Sequence, residues 1–148
     1  MAHKDFNQPL RKAIFEALNH QIQYEASEVP VHDQKQRKGY DNTNYVIIGN
    51  ITSSDNRTFQ GWSRIMSFDL DIVTKTTNAI SSLIADTIAG QIFEILMPDI
   101  GLVGVVVPTG FNYINLRLDS DRYIDFELTD TSSLLRRILG FNIQVDQI

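Results

Sequence analysis

Alternation of apolar and polar side chains predicts a strand followed by a long helix in residues 61–97. From residue 62 to residue 74 apolar side chains recur at every second position, which is the period of a strand buried on one face. The helical period follows, with Thr76, Thr77 and Asn78 as predicted caps and Pro98 as the predicted end. The predicted core positions are Trp62, Met66, Phe68, Leu70 and Ile72 on the strand and Ile80, Ile84, Ala85, Ile88, Ala89, Ile92, Ile95 and Leu96 on the helix. A half-buried strand leading into an amphipathic helix predicts a core of helix on sheet.

Upstream of this unit, the apolar pattern predicts one more helix and two strands. Apolar residues four positions apart, with Pro9 in the first turn, predict a helix that ends near residues 24–27. Residues 29–32 are predicted to be extended, at an edge of the sheet or at the start of a strand, because Pro30 lacks an amide hydrogen. Residues 45–51 are almost all apolar and predict a central strand.

Downstream, alternation predicts a hairpin and a closing strand. Residues 113–118 and 122–128 each alternate, and the Asp-Ser-Asp sequence at residues 119–121 is typical of a turn. Residues 134–145 predict the final strand, and residues 102–107 are a further candidate strand. Together these elements predict one α+β domain over residues 1–148. We expect a mainly antiparallel or mixed sheet carrying two principal helices, with exposed polar loops at about residues 33–44 and 52–61.

Composition narrows the classes of function. The formal net charge of −5 disfavours a protein that binds nucleic acid through its phosphates, because such binding needs a clustered basic surface. The chain has no cysteine, which excludes disulfides and thiolate metal sites. The polar residues 1–6 lack the apolar segment of a signal peptide, and no apolar run is long enough to cross a bilayer. We therefore expect a protein that does not associate with a membrane.

No catalytic, metal-binding or cofactor-binding signature stands out. Asp69 and Asp71 share one strand face and could hold a cation or flank a glycosidic bond, but the sequence identifies no third ligand. The aspartates at residues 119, 121 and 125 lack the glycine and glutamate spacing of an EF-hand loop. The three histidines are not at metal-ligand spacing. We expect a protein that is not an enzyme and needs no metal or cofactor.

Several apolar side chains lie on faces that would be exposed to water in a monomer, which suggests a surface for other subunits or partners. On the predicted helix they interrupt the polar side, and on the long strand they interrupt the polar face. A small basic group in the first polar loop is a further candidate for partner contact. These candidates are Leu83, Phe93 and Met97 on the helix, Ile65 and Val73 on the strand, and Lys35, Arg37 and Lys38 in the loop.

The order of these elements resembles the tail-completion, or tail-terminator, proteins of long-tailed bacteriophages. The resemblance covers residues 10–145. Its segments are the helix at residues 10–24, Val29-Pro30-Val31-His32-Asp33, Tyr45-Val46-Ile47-Ile48-Gly49, the strand at residues 67–73, the helix at residues 78–96 and the closing Phe141-Asn142-Ile143-Gln144-Val145.

This resemblance implies a structural role in the virion. Such proteins form a ring, usually of six subunits, which caps the tail tube, stops tail polymerisation and joins the tail to the head connector. The resemblance implies self-association, contact with the tail tube protein and with connector proteins, and DNA passing through the lumen without sequence-specific binding. It places the protein in the tail or neck of a virion assembled in the cytoplasm of the bacterial host.

Two alternatives remain open at this point. A head–tail connector or stopper protein of the same neck region would share the size, the acidity and the lack of catalysis. A small metal- or ligand-binding enzyme domain that uses Asp69 and Asp71, or the predicted turn at Asp119, is the alternative from a different class. The sequence leaves open the number of subunits, the residues lining the lumen, the tail type and the host.

Overall fold

Two helices and a five-stranded sheet dominate the computed structural model, which describes residues 7–33, 44–58, 61–77, 82–97, 111–127 and 132–147. The elements are α1 (Asn7–Leu18), β1 (Gln23–Tyr24), β2 (Ser27–Glu28), β3 (Val31–Asp33), β4 (Asn44–Thr58), β5 (Gly61–Thr77), α2 (Leu83–Leu96), β6 (Phe111–Glu127) and β7 (Ser132–Gln147). Strands β1 and β2 form a small hairpin, and the others form one sheet in the order β3-β4-β5-β7-β6. Among the described strand pairs of this sheet, β3–β4 is parallel and the others are antiparallel. The predicted α+β domain with a mixed, mainly antiparallel sheet and two helices is confirmed.

Both helices pack on the same face of the sheet and form the core with it. Helix α1 lies over β3 and β4, α2 lies over β5 and β7, and the two helices contact each other. The predicted alternation of β5 is confirmed, because the side chains from Met66 to Ile72 at every second position are buried under the helices. The apolar arc of α2 is confirmed at Ala85, Ile88, Ala89, Ile92 and Leu96. The side chain of Trp62, and Ile80 as a whole, fall outside the described part.

Helix α1 is shorter than predicted. It ends at Leu18, where His20 takes a positive φ of 65° that does not continue a helix. Ile22 is still fully buried, which is why it continued the apolar period, but it lies beyond the helix. The chain then forms the β1–β2 hairpin, whose two turn residues, Glu25 and Ala26, both have positive φ. Glycine or asparagine normally occupies such positions, so the sequence contains no usual hairpin signal there.

The predicted hairpin at residues 113–128 is wrong, because β6 is one continuous strand paired along its length with β7. The residues taken for a turn contain a shift in register between Leu118 and Ser120, so that Asp119 is an extra residue in the strand. Ser120 lies opposite Gly140, where a Cβ atom would approach the Ser120 Oγ to 2.3 Å. Gly140 therefore makes room for the irregular part of β6.

Two predicted boundaries also differ from the structure. Residues 52–58 are not part of a loop, since they continue β4 and pair with β5 back to Gly61. Strand β5 extends through Thr76 and Thr77, which were predicted to cap the helix, and α2 begins at Leu83. Of the predicted loop at residues 33–44, Asp33 belongs to β3 and Asn44 to β4. Residues 34–43, and the candidate strand at residues 102–107, lie outside the described residues.

The side chain of Arg11 fastens α1 to the edge of the sheet. The register of β4 shifts between Ile48 and Ile51, and Arg11 donates to the carbonyl oxygens of Ile48 at 3.2 Å and Gly49 at 2.9 Å. It also forms an ion pair with Asp33 at the end of β3. One guanidinium thus joins α1, β3 and β4, and its planar fork of donors suits several acceptors at once.

Replacing Arg11 by methionine is expected to lower the free energy of unfolding by about 2 kcal/mol, because hydrogen bonds to a charged group are lost and two carbonyls lose their donor. Urea denaturation followed by circular dichroism measures this change. The matched control is Lys12→Met, since Lys12 is exposed and lies 3.9 Å from Glu16, and its expected effect is within about 0.5 kcal/mol. Equal effects of the two substitutions would show that Arg11 does not fasten the helix.

Neither described helix is long and apolar enough to cross a membrane.

Candidate interaction surface

One stripe of α2 faces away from α1 and towards β7 and β6. It contains Leu83, Asp86, Gly90, Phe93 and Met97, whose spacings of three and four residues place them on one side of the helix. Its direction is fixed at two points. Asp86 bonds to residues of β6 and β7, and the Phe93 ring packs edge-on against the buried Phe141 ring of β7 at 6.3 Å.

Arg137 of β7 ties this stripe to β6. Its Nε and Nη2 atoms donate to the two carboxylate oxygens of Asp121 at 3.0 and 2.6 Å, and Nη1 donates to Asp86 Oδ1 at 2.9 Å. The guanidinium also stacks over the Tyr123 ring, 5.2 Å from its centroid, and the Tyr123 hydroxyl donates to Asp86 at 2.7 Å. The bond to Asp121 raises the pKa of Arg137, and the bond to Asp86 raises the pKa of Tyr123. Both groups therefore keep their protons and remain donors.

Strand β6 forms the outer edge of the sheet, and neither described helix packs over it. The register with β7 places Leu118, Asp121, Tyr123 and Asp125 on the helix side of β6. We call these four residues, together with the α2 stripe, the α2–β6 surface. In the described part of the chain, the four large hydrophobic side chains that are exposed all belong to it: Leu83 at 65%, Tyr123 at 49%, Leu118 at 38% and Met97 at 37%. Exposed apolar groups that concentrate in one place mark a surface for interaction.

The structure places the described residues that were predicted to form an interface on two different surfaces. Leu83, Phe93 and Met97 lie together on the α2–β6 surface, although Phe93 is half-buried by its contact with Phe141. Ile65 and Val73 lie on the opposite face of the sheet, since they alternate with the core residues of β5, and Val73 is buried. Contact between these five residues and a partner stays a prediction.

The basic candidates Lys35, Arg37 and Lys38 lie outside the described residues.

Sequence reasoning missed Leu118, Tyr123 and Arg137. The first two were assigned to a hairpin that does not form, so their shared edge was not visible. A signal for Arg137 was present, because it interrupts the row of alternate apolar residues from Leu135 to Val145 in β7. A cation in an otherwise buried row needs acidic partners, and Asp86 and Asp121 supply them.

The acidic residues considered for chemistry do not form a reaction centre. Asp71 is paired with Arg136, whose Nε donates to Asp71 Oδ2 at 3.0 Å. Asp69, on the same face, is exposed. Among the residues that the structure describes, no group of three or more histidine, aspartate or glutamate side chains is arranged to hold a metal ion.

A shallow cleft of about 670 Å³ lies between α1 and β3. Its charged side chains are engaged in pairs, since Arg11 binds Asp33 and the His20 ring is hydrogen-bonded to Glu28. These pairs join neighbouring elements, and the remaining lining includes Phe15 and Pro30. Among its described lining residues, none is a serine, threonine or cysteine that could act as a nucleophile.

Comparison with known proteins gives a likeness of fold. Neither a scan of protein-family models nor a search of curated proteins gave a match. Among solved structures, this fold is similar to that of a chain from the virion of a native gene transfer agent (GTA) particle, with a TM-score of 0.67. The likeness covers 93% of this chain and 94% of that chain at 20% sequence identity. The α+β fold is therefore shared, over nearly its whole length, with a chain found in a virion.

Proposed function

We propose that this protein is a structural component of a phage-like virion. The observation that carries the proposal is the likeness to a chain of the gene transfer agent virion, which extends over almost the full length of both chains. The order of sequence elements, which resembles tail-completion proteins, supports the same conclusion independently of that comparison.

Within the virion, the proposed role is that of a tail terminator. The protein forms a ring of six subunits that caps the tail tube, ends its polymerisation and binds the head connector, with DNA passing through the lumen. A ring contact joins two different patches of the same chain. The α2–β6 surface supports this role, because it provides one patch at a single edge of the sheet with exposed apolar groups.

The test is assembly, alone and on tail tubes. Particle mass is measured at several protein concentrations, and the same sample is imaged by negative-stain electron microscopy. Tubes growing from purified tube protein are then imaged with and without this protein. We expect six-membered rings, and tubes that stop growing with a ring at one end. A ring of twelve that leaves tube growth unchanged would favour a connector, and a monomer that neither binds nor shortens tubes would contradict both roles.

A further inference from the structure

The α2–β6 surface is acidic as well as apolar. Asp86, Asp121 and Asp125 lie on it, and Glu94 lies at its rim, next to Phe93 on the helix. Its cation among the described residues is Arg137, which is already bonded to two of the carboxylates. Four carboxylates therefore share one cation. The arginines of β6 do not change this balance, since they pair in register with residues of the opposite sheet face.

The chain also contains a segment of the opposite charge. Lys35, Arg37 and Lys38 place three cations within four residues, in a protein whose net charge is −5. They belong to residues 34–43, which connect β3 to β4. Strands β3 and β6 are the two outer strands of the sheet, so the basic segment starts from the edge opposite to the acidic surface.

Within one copy, the register places Asn44, where the connection returns to the sheet, in line with Asp125 of β6, with β5 and β7 between them. Opposite charge favours contact between the segment and the surface. Mixing two differently substituted copies distinguishes a contact between copies from a contact within one copy.

We propose that the α2–β6 surface of one copy binds the basic segment at residues 35–38 of a second copy, and this inference rests on the proposed ring. The cations of the segment meet Asp125 and Glu94, while Leu83 and Met97 are covered at the same contact. Because the two patches are different parts of the chain, each copy offers one to each neighbour. Such a head-to-tail contact is the kind that closes into a ring.

Disulfide trapping tests the contact directly, since the natural chain has no cysteine. One sample carries Gln36→Cys, between the cations of the segment. The other carries Gly90→Cys, at a position where a Cβ meets no atom within 4 Å. The two are mixed under mild oxidation, and mixed dimers are counted by intact mass. We expect them to form at least tenfold faster than with the control Gln21→Cys, which is exposed on the α1 side. Equal rates would overturn the inference.

Charge reversal tests whether opposite charges stabilise the contact between the segment and the surface. Glu94→Lys with Asp125→Lys in the Gly90→Cys chain is expected to slow the mixed disulfide about tenfold. Reversing Lys35, Arg37 and Lys38 to glutamate in the other chain is expected to restore it. If the rate is unchanged by the first reversal, or is not restored by the second, charge does not guide the contact and the inference fails.

The outcomes separate this inference from the proposed function. Rings that form without the 36–90 disulfide would keep the terminator role and reject this contact. A specific disulfide in a protein that forms neither rings nor tube caps would keep the contact and reject the role. If the Glu94 and Asp125 reversals instead abolish binding to tail tubes while no disulfide forms between copies, the surface binds the tube protein and the inference is overturned.

Discussion

Phe141→Ala is expected to lower the free energy of unfolding by about 3–5 kcal/mol, the largest effect of any substitution considered for this chain. Phe141 is fully buried in the middle of β7. Its ring stacks on Phe68 of β5 at 5.3 Å and meets the edge of Phe93 of α2 at 6.3 Å. The substitution removes both aromatic contacts and leaves a cavity where the sheet meets the helix.

Urea denaturation monitored by tryptophan fluorescence and circular dichroism measures this loss. The matched control is Leu118→Ala, because Leu118 lies opposite Phe141 in the register but is exposed, and its expected cost is below about 1 kcal/mol. Phe141→Leu keeps most of the volume and is expected to cost about 1.5 kcal/mol, so it remains measurable if the alanine variant does not fold. An alanine variant no less stable than the control would show that α2 is not held at this point.

The expectation depends on a part of the fold that the sequence predicted well. Strand β5 and strand β7 lie side by side under the helices, with one face buried and the other more polar. One-sided burial imposes a strict period of two, and α2 imposes a helical period for the same reason. Buried apolar side chains therefore recur in the sequence with a clear period, and the prediction that Phe68, Phe141 and Ile92 lie on the apolar faces of their elements is confirmed.

In the edge strand β6, the pattern of apolar residues is a weaker guide to the structure. The alternation in β6 is the same before and after Asp119, yet the register shift moves it from one face to the other: Leu116 pairs with Ile143 on the core side, and Ile124 pairs with Arg136 on the opposite side. A turn and a bulge both interrupt a strand with polar residues. Only the pairing with β7 distinguishes them, and that pairing is a tertiary property.

The second half of β4 is another segment whose structure could not be predicted from its sequence. Residues 52–58 are almost entirely polar and resemble a loop in composition, but they satisfy their backbone hydrogen bonds by pairing with β5. A strand made of polar residues shows no apolar alternation, so the period of two that marks a half-buried strand is absent there.

Only the part of the α2–β6 surface that α2 contributes could be predicted from the sequence. Helical periodicity showed that Leu83, Phe93 and Met97 lie off the apolar arc of α2. It did not show that Ile65 and Val73 lie on the other side of the sheet, because the face on which two helices pack is decided by the assembled fold. The contribution of β6 through Tyr123 and Leu118 was hidden by the predicted hairpin.

Arg137→Met is the second large prediction, with an expected loss of about 3 kcal/mol in the free energy of unfolding. The side chain is mostly buried and is bonded to Asp121 and Asp86. Without it, two partly exposed carboxylates face the same space with no cation, and a charge left without its partner costs more than the pair itself contributes. The expected loss is near the lower end of the range for buried pairs, because Asp86 is partly open to solvent.

Three further variants separate charge from packing. Arg137→Lys keeps the charge but cannot reach both carboxylates with a planar fork, so about half of the loss is expected. Adding Asp86→Asn and Asp121→Asn to Arg137→Met is expected to recover most of the stability, because the uncompensated charges are gone. Arg122→Met is the control, since Arg122 is an exposed arginine on the neighbouring strand β6, and its expected effect is within about 0.5 kcal/mol.

The same substitution bears on assembly, because Arg137 holds the α2 stripe against β6 and so fixes the relative position of Leu83 and Tyr123. If the α2–β6 surface is a subunit contact, the triple variant, although nearly as stable as the natural protein, is expected to assemble less well. It keeps Glu94 and Asp125 but lacks the bonds from Arg137 that fix the relative position of Leu83 and Tyr123. Native mass measured beside the unfolding curves tests this. Full assembly of the triple variant would show that Asp86 and Asp121 serve only to hold the fold together.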